Sequence, residues 1–183
     1  MSDTTNSNAN EQQPSKMKSA LNYGAIFGLV LLVVDLSSFI LELLENEVFK
    51  YLSWGLIIGG VVFGIKKHRD NILNGFITYG GALGYGVLLS FFASIISSFV
   101  IYLYLKFIDD SILAILVERA EIEMIEQGQP DQALEMGMKI VEVIYSPMGM
   151  FVFGIFTTTL MGFIVSLIAA AFLKNDPDSF ENA

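Results

Sequence analysis

Residues 66–106, KKHRDNILNGFITYGGALGYGVLLSFFASIISSFVIYLYLK, decide the fold. They open on Lys66-Lys67-His68-Arg69, the densest positive cluster in the chain. They then pass through a glycine-rich entry from Gly75 to Gly86 and run on as apolar residues to Lys106. About 20 predominantly apolar residues cross a ~30 Å hydrocarbon core as a helix. The run from Phe76 to Leu105 exceeds that need, since about thirty helical residues reach ~45 Å. Phe76, Tyr79 and Tyr85 among glycines suit an elbow at headgroup level, and paired glycines weaken helix continuity. The crossing is therefore expected to begin near Gly80-Gly81.

Three more apolar blocks surround this one. With it they give expected spans at 21–41, 48–65, 80–105 and 148–173. The chain has 183 residues, 54% of them hydrophobic, against roughly 45–50% in soluble domains. Their gathering into four blocks, rather than a helix or strand period, is what points to a bilayer as solvent. The expected fold is all-α: a polytopic membrane protein with four transmembrane helices and one extracytoplasmic helical hairpin. Residues 1–18, rich in Asn, Ser and Gln, read as a disordered cytoplasmic tail. The membrane domain takes 19–174, and 175–183 forms a second cytoplasmic tail.

The hairpin occupies 106–147. Its first helix, 111–127, places Ile112, Leu113, Leu116, Ala120 and Met124 near one face, and Gly128 is its natural stop. Pro130 suits a first helical position, with Leu134, Met138, Val141 and Tyr145 on the second helix's stripe. Ser146-Pro147 reads as the cap and first residue of the fourth span.

Four spans leave both termini on one side, together with Lys16, Lys18, Lys66, Lys67, Arg69 and Lys174. The other side receives Lys50, Lys106, Arg119 and Lys139, spread over a longer length. Basic residues near span ends fix orientation, so both termini are expected in the cytoplasm of a bacterial inner membrane. Lys66, Lys67 and Arg69 carry that signal and can also meet anionic lipid headgroups.

Helices in lipid pack through small residues. Gly24 and Gly28, Gly55 and Gly59, Gly60 and Gly64, Gly80 and Gly84, and Gly162 with Thr158, Ser166 and Ala170 repeat the four-residue spacing in every span. This predicts a compact bundle, and the same faces leave self-association or an unknown membrane partner open.

No Cys and one His exclude thiolate chemistry and clustered His or Cys metal sites. The glycines form no phosphate loop, and a net charge of −9 argues against nucleic acid. No cofactor and no enzymatic activity are expected; the lipid bilayer is the one partner the sequence demands. Asp35 is the anomaly, because a carboxylate inside a span costs about 2.5–3.5 kcal/mol on insertion scales. With Ser97, Ser98 and Thr158 it forms a candidate intramembrane polar site. Two readings stand open: an ion- or proton-linked acid, or a structural acid bonded to Ser37, Ser38 or serines of span three, or reached by Lys106. Hydroxyls of spans three and four either line a polar path or bond back to their own helices. His68 reads as an interfacial polar residue, with no Ser-His pair activating those hydroxyls. Two functions follow: a non-enzymatic assembly protein, or a small transporter or channel component working through Asp35.

The segments 54–57 (Trp-Gly-Leu-Ile), 65–70 (Ile-Lys-Lys-His-Arg-Asp), 75–80 (Gly-Phe-Ile-Thr-Tyr-Gly) and 161–170 resemble a family of small four-span membrane proteins of Bacteroidota carrying a domain-of-unknown-function label. The resemblance implies an inner-membrane protein with the same span order. It implies no activity, substrate or site residue.

Overall fold

A computed structural model describes residues 15–41, 43 and 46–175 of the chain. Most of the polar N-terminal tail, the acidic link around Glu42 and Glu45, and the last eight residues lie outside the described residues. The rest is all-α: α1 (Lys16–Ile40), α2 (Glu47–Ile72), α3 (Tyr79–Phe107), α4 (Ser111–Glu126), α5 (Asp131–Ile144) and α6 (Pro147–Leu173). Four of them, α1, α2, α3 and α6, are long and apolar enough to cross a membrane. Among the described residues there is no strand, only one isolated bridge between Ile77 and Asn175.

Short polar side chains start these helices. The Ser15 hydroxyl accepts from Lys18 N (3.3 Å), Asn46 Oδ1 from Val48 N (2.9 Å), Thr78 Oγ1 from Gly81 N (3.1 Å) and Ser146 Oγ from Gly149 N (3.0 Å). Each occupies an N–H that the first turn leaves without a carbonyl. α6 starts at Pro147 behind its Ser146 cap, as expected. Gly128 takes φ +70° just past α4, as its role as a stop requires. Pro130 stands one place earlier than expected, as the residue before α5.

Two boundaries differ from the sequence reading. α1 begins at Lys16, so residues 16–18 are helix rather than tail. α2 does not end at Ile65 but continues to Ile72, and the basic cluster is its last two turns. The elbow is a turn at 73–78, with Asn74 at φ 53° and Gly75 at φ 89°. It is stitched to the end of α6: Ile77 and Asn175 exchange backbone hydrogen bonds of 3.0 and 2.9 Å, and Asn175 Nδ2 donates to Gly75 O (3.0 Å).

The bundle is built around α3. It runs parallel to α1, with Ser19 beside Tyr85, Gly24 beside Leu89 and Asp35 beside Ser97. It runs antiparallel to α6 in one register, through Ser98–Gly154, Ser94–Thr159, Ser90–Gly162 and Gly86–Ser166. α2 lies more loosely against α1, α3 and α6. The α3–α6 seam is reciprocal. Ser90 Oγ donates to Gly86 O (2.9 Å) and Ser166 Oγ to Gly162 O (2.6 Å), while each serine packs on the other helix's glycine.

The radial distribution is that of a protein in lipid. Ser19, Ser90, Ser94, Ser97 and Ser166 are buried, whereas Ile26, Val33, Phe63, Phe156 and Phe172 (83% exposed) face outward. Water would penalise such a surface by about 25 cal/mol per Å² of apolar area; a hydrocarbon solvent does not.

Six of the nine glycines singled out for packing have a neighbouring helix against them: Gly24, Gly28, Gly60, Gly64, Gly84 and Gly162. Gly55, Gly59 and Gly80 instead face open space. In α2 the inward face is Val61, Gly64, Ile65, His68 and Ile72. The five-residue offset from Gly60 and Gly64 is a net turn of about 140° around the helix, which carries Gly55 and Gly59 off that face.

Candidate functional site

Asp35, Ser97, Ser98 and Thr158 are brought together. They line one cleft of about 280 Å³ at the end of the bundle where α1, α2, α3 and α6 meet, on the side of the α4–α5 hairpin. Asp35 is placed by the α1–α3 seam, where Gly24 and Gly28 let the helices approach closely. An added Cβ on Gly28 would stand 2.6 Å from Ala93 O. Seven residues further along α1, the Ser97 hydroxyl donates to Asp35 Oδ2 at 3.1 Å.

The other partners open to Asp35 are taken. Ser37 donates back to Val33 O (2.5 Å) and Ser38 to Val34 O (2.9 Å), both within α1. Lys106 Nζ donates to Tyr102 OH (2.8 Å) and lies 5.2 Å from the Tyr102 ring centroid and 5.5 Å from that of Phe107. Among the described residues no basic side chain forms an ion pair with Asp35. The acid thus has one hydroxyl partner, and the rest of its acceptor capacity faces the cleft.

Lys50, Ser53 and Trp54 form the α2 wall of the same cleft. Sequence reasoning placed Lys50 only among the basic residues of the outer side, and it missed the wall. Lys50, Ser53 and Trp54 at i, i+3 and i+4 share one face of α2, which was a usable signal. Ser53, Ser98 and Thr158 make no side-chain hydrogen bond among the described residues, yet no buried polar side-chain atom goes unsatisfied. Their hydroxyls therefore touch open space, Ser98 the least, since it is buried with its Oγ against Gly154.

The other hydroxyls do not extend this site. Ser90 and Ser166 bond back to their own helices, and Ser94 donates to Phe91 O (2.8 Å) with Thr159 Oγ1 3.3 Å away. For these three the structure favours packing over a polar path.

His68 corrects the sequence reading. It is 2% exposed rather than interfacial, because α2 continues as helix and turns this residue inward. Its ring stacks on Tyr85 with centroids 3.9 Å apart and planes within 10°. Ser19 Oγ lies 3.1 Å from His68 Nδ1 and 3.2 Å from Tyr85 OH, so one hydroxyl ties α1, α2 and α3 together. This is a Ser–His contact that the sequence did not reveal. Ser19 is only 2% exposed and Tyr85 is fully buried, so no substrate carbonyl reaches the hydroxyl. The cluster is a buried polar pin.

The basic residues divide in role. Arg69 Nη1 donates to Leu173 O (3.2 Å), capping α6, and its Nε donates to Asp70 Oδ1 (2.6 Å). Lys67 Nζ lies 5.6 Å from the Phe63 ring centroid, while Lys66 is exposed. On the hairpin, Asp109 Oδ1 accepts from Ser111 N (2.9 Å), and Ser111 holds the Asp109 carboxyl below the usual carboxylate range. Among the described residues no group of three His, Cys, Asp or Glu is placed to hold a metal ion.

A family model described as "Protein of unknown function (DUF4199)" matches residues 22–175. No curated protein and no solved structure matches the chain.

Proposed function

The chain belongs to the DUF4199 family, and from that premise we propose that it is a non-enzymatic inner-membrane protein that binds a small polar solute in the Asp35 cleft. The observation behind this reading is the cleft itself: a carboxylate, an ammonium and three free hydroxyls around about 280 Å³ of open space in an apolar bundle. A purely structural acid would be closed over by its partners, since buried polar groups are satisfied internally. Both termini are cytoplasmic and the hairpin is external, in a bacterium of the Bacteroidota. Lys16 against Gly84, Arg69 against Leu173 and Asn175 against Ile77 gather the basic residues at one end, which supports that orientation.

The chain lacks Cys, so single cysteines report cleanly. In intact spheroplasts, Ser98→Cys and Gln127→Cys should react with a membrane-impermeant thiol reagent, and Lys66→Cys only after lysis. An unreactive Ser98→Cys would sink the solute-binding reading, and Lys66→Cys labelling from outside would invert the topology.

Assembly with a second copy or another membrane protein is the second reading. One observation favours it: Gly55 and Gly59 present a four-residue small spacing with nothing within 4 Å. Added bulk at that face, as in Gly59→Leu, should shift a crosslinked dimer band toward monomer if the reading holds, and leave the band unchanged if it does not.

A further inference from the structure

The cleft carries two opposite charges that do not meet. Asp35 of α1 and Lys50 of α2 both line it, and no ion pair joins them. Among the described residues Lys50 makes no hydrogen bond or ion pair through its side chain, and Asp35 has only the Ser97 hydroxyl. Asp35, half-buried among apolar helices with one hydroxyl partner, keeps a desolvation cost that a cationic group in the cleft relieves, whereas Lys50 is exposed on the α2 wall and offers a hydrated ammonium to a carboxylate.

Resting on the solute-binding reading above, we propose that the ligand is a small zwitterion, its ammonium on Asp35 and its carboxylate on Lys50. An amine alone would leave Lys50 facing a second cation, and an acid alone would leave Asp35 facing a second anion. Only a molecule carrying both charges completes both ends. The free hydroxyls of Ser53 on the Lys50 wall and of Ser98 and Thr158 on the α3 and α6 walls supply neutral donors and acceptors. Phe39, Phe49 and Met150 supply an apolar wall for a short side chain. The volume sits just under the ~300–1,000 Å³ of drug-sized pockets, which favours a ligand of amino-acid size.

Trp54 is the one tryptophan and lines this cleft, so its emission reads occupancy directly. Full-length protein in mild detergent is titrated with L-alanine, β-alanine and γ-aminobutyrate, which vary charge separation, and with propylamine and propionate, which carry one charge each. At least one zwitterion should shift Trp54 emission saturably, at a half-saturation at least tenfold below both single-charge probes. Asp35→Asn and Lys50→Gln should each weaken it tenfold or more, and Ser97→Ala severalfold with the acid kept. Ser97→Ala covers the case in which Asp35→Asn fails to fold. Propylamine binding as tightly as any zwitterion, unmoved by Lys50→Gln, would overturn the zwitterion and leave a cation cleft. No response to any probe, with Ser98→Cys still labelled, overturns the ligand class alone. Silence in both experiments removes the cleft reading as well.

Discussion

The α1–α3 seam sets the geometry of everything at the cleft, and Gly28 is the residue that tests it. An added Cβ there would lie 2.6 Å from Ala93 O and 3.0 Å from Ala93 Cα, both backbone atoms of α3. Backbone cannot rotate aside as a side-chain tip can, so Gly28→Ala requires the helices to part by roughly 1 Å in a close-packed interior. Overpacking of this kind costs about 1–3 kcal/mol. Alanine also gains up to ~1 kcal/mol in helix propensity over glycine, and that gain must be subtracted. Gly59→Ala does so, because a Cβ there meets nothing within 4 Å and the propensity change is the same. The difference between the variants isolates the clash: ~1–3 kcal/mol, or about 5- to 150-fold in the unfolding equilibrium. Far-UV circular dichroism during SDS titration in mixed micelles reads that equilibrium. The parting should also disturb the Asp35–Ser97 bond (3.1 Å), which lies about two turns further along the same seam. Equal midpoints for the two variants would refute the packing assignment. A more damaging Gly59→Ala would show that the outward face of α2 is the packed one, covered by something outside the chain.

Two other outcomes are expected of the polar groups. His68→Ala removes a stacked ring and leaves a void between α2 and α3, costing about 2–4 kcal/mol, whereas His68→Phe keeps the stack and loses about 1 kcal/mol with its bond to Ser19; equal melting shifts for the two would contradict the stack. Ser90→Ala and Ser166→Ala should each cost about 1 kcal/mol or less in the same titration, since both hydroxyls hydrogen-bond only their own helices and meet the facing helix only as packing; a larger loss in either would mean that the hydroxyl bonds across the seam.

The four spans and the hairpin were legible because their signals are local. Apolar runs, Gly128, and Ser146-Pro147 act within a turn or two of themselves. Helix rotation is not local, and the misreadings follow from it. Gly55/Gly59 and Gly60/Gly64 are the same pattern five residues apart, and only the helices around α2 decide which pair packs. His68 sits in a basic cluster that looks interfacial, yet Val61, Gly64, Ile65, His68 and Ile72 follow helical spacing on one face. That periodicity was present in the sequence and was hidden by ending the span at Ile65. Asp35 was legible as an anomaly, and a serine of span three as a class of partner. Lys50 and Trp54 were not, because their place in the cleft depends on how α2 turns toward α1 and α3.

The two polar clusters stand at opposite ends of one seam, and what lies between them bears on how the cleft works. Ser19 meets Tyr85 at one end and Asp35 meets Ser97 at the other. In between, Gly24 and Gly28 are pressed against Leu89, Phe92 and Ala93, with Phe27, Val61 and Ile65 filling the space alongside. A buried water needs a roomy site with two to four polar partners, and this stretch is apolar and closed. Ser90 and Ser94 of α3 face α6 and donate back to carbonyls of their own helix, so they do not continue a wet path from the cleft. The cleft is blind. A solute held at Asp35 has no continuous route to the end of the bundle where His68 lies, and passage would demand a second arrangement of the helices. α2, the least tightly held of the four long helices, carries Lys50 and Trp54 into the cleft and His68 into the pin. If the proposed solute binds, a shift of that one helix would change both ends at once, and coupling between ligand and pin is the expected behaviour.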